Sequence, residues 1–239
     1  MVNNWLKITH NWLLPDTCIL CDRMGVAGHD LCDGCAAELP YIGIACERCA
    51  IPLPAPGVCG QCQQSPPSFD AARALFYYRE PLDQLIKGLK FGGKLHNARL
   101  LGQLMAERWQ GSAAMQFDAI VPVPLHPARL RQRGFNQALE LARPLAKALE
   151  LPLLPQLSQR LRDTTPQLGQ SAKARRRNLN GAFAVTMPDP ASIRRVIVVD
   201  DVMTTGSTAE LLAKALKQAG VEWVELWLCA RADLPGRSD

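Results

Sequence analysis

Eight of the nine cysteines lie between Cys18 and Cys62 as four CxxC pairs: Cys18/Cys21, Cys32/Cys35, Cys46/Cys49 and Cys59/Cys62. A tetrahedral zinc takes four thiolates, and a CxxC turn supplies two of them from one knuckle. Eight ligands therefore make two four-cysteine sites. Gaps of ten, ten and nine residues separate the pairs, so consecutive pairing (the first four, then the last four) and interleaved pairing are both open. The competing chemistries are one zinc with a degenerate second site, an iron–sulfur cluster, and redox dithiols. Ligation by thiolates alone makes a metal structural rather than catalytic. The start of the chain shows no basic leader, apolar core or small-residue cleavage site. It does not read as a signal peptide, so the pairs point to metal in a reducing cytosol rather than to disulfides. Cys229, alone in an apolar run, reads as a buried core thiol.

A second constellation lies in Arg195–Thr208. An apolar strand brings two adjacent carboxylates, Asp200 and Asp201, to its carboxyl end, where ligands bind in open α/β sheets. Thr204, Thr205, Gly206, Ser207 and Thr208 follow and lead into a helix. Hydroxyls, successive backbone N–H groups and a helix N-terminus make a phosphate cradle, and Gly206 lets the backbone approach closely. Ser207 and Glu210 also fit a capping box, so part of this chemistry serves simply to start a helix. Two carboxylates ahead of a phosphate-sized loop fit a ligand with both a phosphate and a vicinal diol.

Val198-Val-Asp-Asp-Val-Met-Thr-Thr-Gly-Ser-Thr208 closely resembles the 5-phosphoribosyl pyrophosphate (PRPP) signature of type I phosphoribosyltransferases. The resemblance implies that Asp200 and Asp201 hold the ribose hydroxyls, while Thr204–Thr208 hold the 5′-phosphate. Three further features look like the ComF/GntX (competence protein F) family: Val121–Ala138, Leu89–Lys94, and the spaced set Arg160, Thr165, Gln167, Arg175 and Asn178. With the cysteine knuckles, which the family carries as a double zinc ribbon, the likeness covers nearly the whole chain. It implies a phosphoribosyltransferase-like protein linked to uptake or use of external DNA. Such a protein would transfer phosphoribosyl from Mg²⁺·PRPP to an unidentified nitrogen acceptor, with magnesium among pyrophosphate oxygens, sugar hydroxyls and a few carboxylates. The alternative is a non-catalytic DNA-binding or DNA-processing protein that uses the fold as a PRPP sensor or scaffold.

Residues 127–180 hold eleven Lys/Arg against three Asp/Glu. By the resemblance, Val123–Arg133 is the loop that meets pyrophosphate, with Arg129, Arg131 and Arg133 stabilising departing charge. Thr164–Arg177, with Lys173, Arg175, Arg176 and Arg177, is the mobile cover. The competing readings are a solvated basic face and a path for single-stranded DNA, although Phe135 is the one aromatic nearby. His126 is open to proton transfer or to a positioning role. Gly88–Leu95 matches GxxxxGK, but Leu95 replaces the magnesium-binding hydroxyl and the upstream segment reads as helix, so a P-loop is rejected. Lys87, Lys90 and Lys94 form a solvated face or border the phosphate site.

Strands alternating with helices position these groups. Strands are expected at Ala72–Tyr78, Ala119–Pro122, Leu153–Leu157, Ala182–Val185, Ile193–Val199 and Val221–Cys229. Helices are expected at Leu82–Leu89, Ala98–Trp109, Gln137–Leu149 and Thr208–Ala219, the last ended by Gly220. Val123–Arg133 is expected as a loop. The fold class is therefore α/β, a type I phosphoribosyltransferase-like parallel sheet flanked by helices, with a small cysteine-rich module in front. The domains are an amphipathic segment at 1–15, a double zinc ribbon at 16–64, the α/β domain at 69–232 and a tail at 233–239. Trp5, Ile8 and Trp12, at helical spacing, are expected to share a helix face that packs on the body, with membrane contact as the alternative. A length of 239 residues and 48% hydrophobic content fit this plan. No run reaches a membrane span, and a net charge of +5 permits an anionic partner without demanding one. Nothing in the sequence sets an oligomeric state.

Overall fold

The computed structural model describes residues 17–26, 28–113, 117–162, 181–187 and 193–232. The chain forms β1 (Ala71–Tyr77), α3 (Leu82–Gly92), α4 (Leu95–Ala113), β2 (Ala119–Pro122), α5 (Pro127–Arg133), α6 (Gln137–Leu149), β3 (Ser158–Arg160), β4 (Phe183–Val185), β5 (Arg195–Met203), α7 (Ser207–Gln218) and β6 (Trp223–Arg231). Two short helices, α1 (Asp33–Glu38) and α2 (Gly60–Gln64), precede them in the cysteine module.

The main sheet has the order β1-β6-β5-β2 and every pairing is parallel. Both faces are covered, which is why its central strands read as near-continuous apolar runs. The two-residue period still sorts them. Ile197, Val199, Trp227 and Cys229 join one core with Leu85, Leu89, Leu101, Leu141 and Leu145 of α3, α4 and α6. Val196, Val198, Leu226 and Leu228 join the other with Ala209, Leu212 and Leu216 of α7. In the first core Trp227 meets Trp109 edge-on at 5.0 Å. The approach of α4 to α6 depends on Gly102, where an added Cβ would lie 2.5 Å from the Leu141 carbonyl oxygen.

The cysteine module seals the outer edge of β1. Ile42 N–H donates to Leu75 O, Tyr77 N–H to Pro40 O and Ala72 N–H to Glu47 O. An exposed parallel edge is thereby closed.

Ala119–Pro122 and Gln137–Leu149 fall where the sequence places them. Three expectations need correction. Val123–Arg133 is not a loop throughout: Pro127 opens helix α5, His126 Nδ1 accepts from Ala128 N–H at 3.3 Å, and Gly134 closes it at φ +82°. These are ordinary start and stop residues. The strand expected at Leu153–Leu157 shrinks to one parallel bridge between Ile120 and Leu153, because Pro155 has no N–H for a ladder. The strand expected at Ile193–Val199 instead runs on to Met203, so the two aspartates sit inside β5. No helix among the described residues is long and apolar enough to cross a membrane. The segment 1–15 and the tail 233–239 lie outside the described residues.

Candidate functional site

The predicted residues form two four-cysteine groups and, apart from them, an acid pair followed by a hydroxyl-rich turn. Cys18, Cys21, Cys32 and Cys35 form one thiol cluster, and Cys46, Cys49, Cys59 and Cys62 form another; within each, all sulfurs lie within 4.8 Å of one another. The pairing is consecutive. Cys21 Sγ lies 3.6 Å from Cys32 Sγ, and Cys49 Sγ lies 3.7 Å from Cys59 Sγ. Those separations are far too long for a disulfide. They approach the edge of about 3.8 Å expected for a tetrahedron of sulfurs around zinc.

The same local design serves both clusters. After the first pair of each, one residue takes a left-handed backbone: Asp22 at φ +58° and Ala50 at φ +56°. Its N–H returns to the carbonyl of the pair's first cysteine, Asp22 to Cys18 O and Ala50 to Cys46 O. The second pair of each starts a helix, with Cys32 and Cys59 as the N-cap residues of α1 and α2. Burial opposes ionisation of Cys18, but backbone N–H groups of Cys32, Leu20 and Cys21 outweigh it and lower the thiol to about 6. Cys46 is lowered in the same way to about 7, burial again opposing and the Cys59, Cys49 and Arg48 backbone prevailing. Burial pushes Cys49 up to about 11, with the Cys46 charge adding to it. Four crowded thiols ionise together only around a cation, so the donor set fits zinc.

The acid pair and the turn after it follow from β5. Asp200 and Asp201 are successive strand residues, so their side chains start in opposite directions. Each accepts from the next backbone N–H, Asp200 Oδ1 from Asp201 at 2.9 Å and Asp201 Oδ1 from Val202 at 2.8 Å. Asp201 is buried and pairs with Lys90 Nζ of α3 at 2.7 Å. Burial first, then the Asp201 charge, pushes the half-buried Asp200 carboxyl up to about 8. Beyond Met203 the chain turns outward. Thr204, Thr205 and Ser207 are exposed, and Gly206 takes φ +80°, a conformation that favours glycine.

Gly206 is also the N-cap of α7 and has no side chain to cap it; Thr205 Oγ1 accepts from the first helical N–H, Ser207, at 3.5 Å. The expected capping box is absent. Ser207 Oγ lies 2.9 Å from Thr205 Oγ1. Glu210 instead accepts from Ser68 N–H at 2.8 Å and from Ser68 Oγ at 2.5 Å. It therefore ties the 63–68 linker to α7, and the N-terminal amides of that helix face the hydroxyl-rich turn.

The arginines divide. Arg133 donates to Gln137 Oε1 at 2.5 Å and lies 5.8 Å from the centre of the Phe91 ring. Phe91 follows Lys90, so Arg133 stands beside the segment that reaches Asp201. Arg129 is half-buried and Arg131 exposed on the same helix. His126 caps α5, a positioning role. Arg160 is buried at the end of β3, 5.8 Å from the Phe183 ring. The expected cover Thr164–Arg177, including Thr165, Gln167, Lys173, Arg175 and Arg176, lies outside the described residues, as does Asn178. Cys229 is a buried core thiol, raised by burial and then by the Asp201 charge.

Sequence reasoning missed Arg231. This buried side chain donates through Nε to Cys49 O at 3.1 Å and through Nη1 to Met203 O at 2.8 Å, to Thr204 O, and to Ala232 O at 3.0 Å. The available signal was a lone cation closing a strand that is apolar from Leu226 to Ala230.

Comparison with known proteins agrees with the cysteine module. The double zinc ribbon domain matches residues 9–63. Competence protein F of Haemophilus influenzae is 36% identical over 225 residues, 90% of this chain and 96% of that protein. DNA utilization protein YhgH of Salmonella typhimurium is 34% identical over 91% of this chain and 98% of its own length. Competence protein ComFC of Streptococcus pneumoniae is 26% identical over 66% of this chain and 67% of its length. A purine phosphoribosyltransferase of Pyrococcus horikoshii covers 59% of the chain, and 90% of itself, at TM-score 0.32 and 17% identity, a likeness too loose to bear on function. The matches along nearly the full length settle kinship: the chain belongs to the family of Competence protein F and DNA utilization protein YhgH.

Proposed function

We propose that the protein binds Mg²⁺·PRPP at the end of β5 and transfers its phosphoribosyl group to a nitrogen acceptor during the use of external DNA. The observation that carries this reading is the turn Thr204–Thr208, with Thr204, Thr205 and Ser207 exposed, which enters a helix whose N-cap residue, Gly206, offers no side chain, just after the Asp200–Asp201 pair. The turn's hydroxyls and the first amides of α7 take the 5′-phosphate. Asp200 and Asp201 take the ribose hydroxyls, and ligand magnesium would complete its shell on sugar and pyrophosphate oxygens. The acceptor nitrogen attacks C1′; the bond from C1′ to the pyrophosphate oxygen breaks, its electron pair leaves with pyrophosphate, and the nitrogen loses a proton. Lys90, which pairs with Asp201, and Arg133, beside Phe91, offset departing charge, with Arg129 and Arg131 on the same helix as Arg133. Two zincs hold the ribbons in place.

The relatives' names favour a second reading, in which the fold senses PRPP while the protein handles DNA. A pyrophosphate-release assay with Mg²⁺·PRPP, screened over nucleobases, ammonia and single-stranded DNA, separates the two. Release that depends on one acceptor supports transfer. Binding without release from any acceptor supports the sensor.

A further inference from the structure

The ribbon that holds Cys46, Cys49, Cys59 and Cys62 is joined to the phosphate turn through one side chain. Arg231 ends β6, pairs in register with Met203 at the end of β5 and with Tyr77 at the end of β1, and is 3% exposed. Its guanidinium is a planar fork of five donors. One branch reaches the carbonyl of Cys49, a ligand of the second thiol cluster, and another reaches the carbonyls of Met203 and Thr204, where the turn begins.

The direction of the Cys49 carbonyl is set by the metal knuckle itself. That carbonyl belongs to the peptide joining Cys49 to Ala50, and two features fix the peptide's plane: Ala50 at φ +56° and the bond from Ala50 N–H to Cys46 O. A non-glycine residue keeps such a backbone only where its surroundings hold it there. Ala50 is fully buried in the same core as Met203 and Ala209, which flank the turn. A metal on Cys46 and Cys49 fixes both side chains and hence the knuckle's backbone. Loss of that metal frees the peptide, one Arg231 bond and, through it, the Thr204 carbonyl.

We infer that the second zinc ribbon positions the phosphate turn, with Arg231 as the connecting residue. The ribbon is thus part of the anion site's framework as well as a fold staple. The first ribbon offers a built-in contrast, since its side-chain tie runs from His29 Nε2 to Glu107 Oε1 of α4 at 3.0 Å. The inference depends on the PRPP reading only for the identity of the ligand; the mechanical link stands on the protein alone.

Hydrogen exchange of the peptide containing Thr204–Thr208, followed in the full zinc-loaded chain, tests the link without ligand. Cys49→Ser is expected to speed exchange there at least tenfold, and by at least five times the factor that Cys21→Ser produces. Arg231→Lys, which keeps the charge but loses the fork, is the milder variant should Cys49→Ser fail to fold. It is expected to speed exchange of the turn while zinc content stays at the wild-type level. Equal acceleration by both cysteine variants overturns the inference, as does wild-type exchange in Arg231→Lys. Calorimetry with Mg²⁺·PRPP on the same proteins keeps the two ideas apart. Absent binding in wild type sinks the ligand assignment and leaves the exchange result to decide the link.

Discussion

The first ribbon leaves Cys21, Asp22 and Met24 in solvent, while the second buries Cys46, Cys59 and Cys62. Both use the same knuckle, the same left-handed residue after a CxxC pair and the same helix start. Their seats differ. Cys18, Leu31 and Leu39 of the first join the core that α3, α4 and α6 share with the sheet. The second forms a small core of its own with Ile51 and sends Ala50 into the core on the other face. Equal metal chemistry therefore does unequal structural work, because what a knuckle controls depends on where its backbone carbonyls and neighbours lead.

The largest effects should come from breaking the ribbons themselves. Metal analysis of the wild type is expected to give two zincs per chain, and Cys46→Ser or Cys21→Ser to give one. Cys46→Ser should lower Tm by about 10 °C or more, since structural zinc contributes several kcal/mol of folding free energy. Cys21→Ser, on an exposed ligand, should lower it less. Equal shifts in differential scanning fluorimetry would erase the distinction between the ribbons.

Next in size is Lys90. Its side chain is one-fifth exposed and its ammonium meets the buried Asp201 at 2.7 Å. Lys90→Met leaves a buried carboxylate without that partner and should cost about 3 kcal/mol, measured by urea unfolding. A loss under about 1 kcal/mol would show that the pair is solvated rather than structural.

The pH dependence of stability is a smaller signal with a definite sign. The folded-state carboxyl of Asp200 is raised to about 8, above its unfolded value of about 4. Between those values the native state binds more protons than the unfolded state, so this group makes stability fall as pH rises from about 4 to about 8. Asp200→Asn should flatten that part of the profile. An unchanged slope would mean the carboxyl titrates normally. The smallest effect belongs to the first ribbon's surface contact: His29→Ala should change stability by no more than about 1 kcal/mol.

Much of this was legible in the sequence because it was local or periodic. Ala119–Pro122 and Gln137–Leu149 show their elements in the apolar pattern itself, and the thiol pairs and the hydroxylated turn announce themselves by residue type. Helix α5 escaped notice because seven residues rich in arginine carry no apolar period, although Pro127 and Gly134 marked its ends. The zinc pairing was hidden by nearly equal gaps between pairs. The Glu210–Ser68 tie hid behind a capping-box pattern, and joins residues 142 positions apart. Arg231 and Cys49 are 182 positions apart, a contact that only the folded sheet makes.

The second ribbon's hold on the turn matters to function only if the turn receives the ligand assigned to it. Titration calorimetry of Mg²⁺·PRPP into the zinc-loaded protein, beside the Asp200→Asn/Asp201→Asn double variant, measures this directly. The account predicts one site per chain in the wild type and at least a hundredfold weaker binding in the double variant, the loss expected for about two charge-assisted hydrogen bonds. Undiminished affinity in a folded double variant would contradict it.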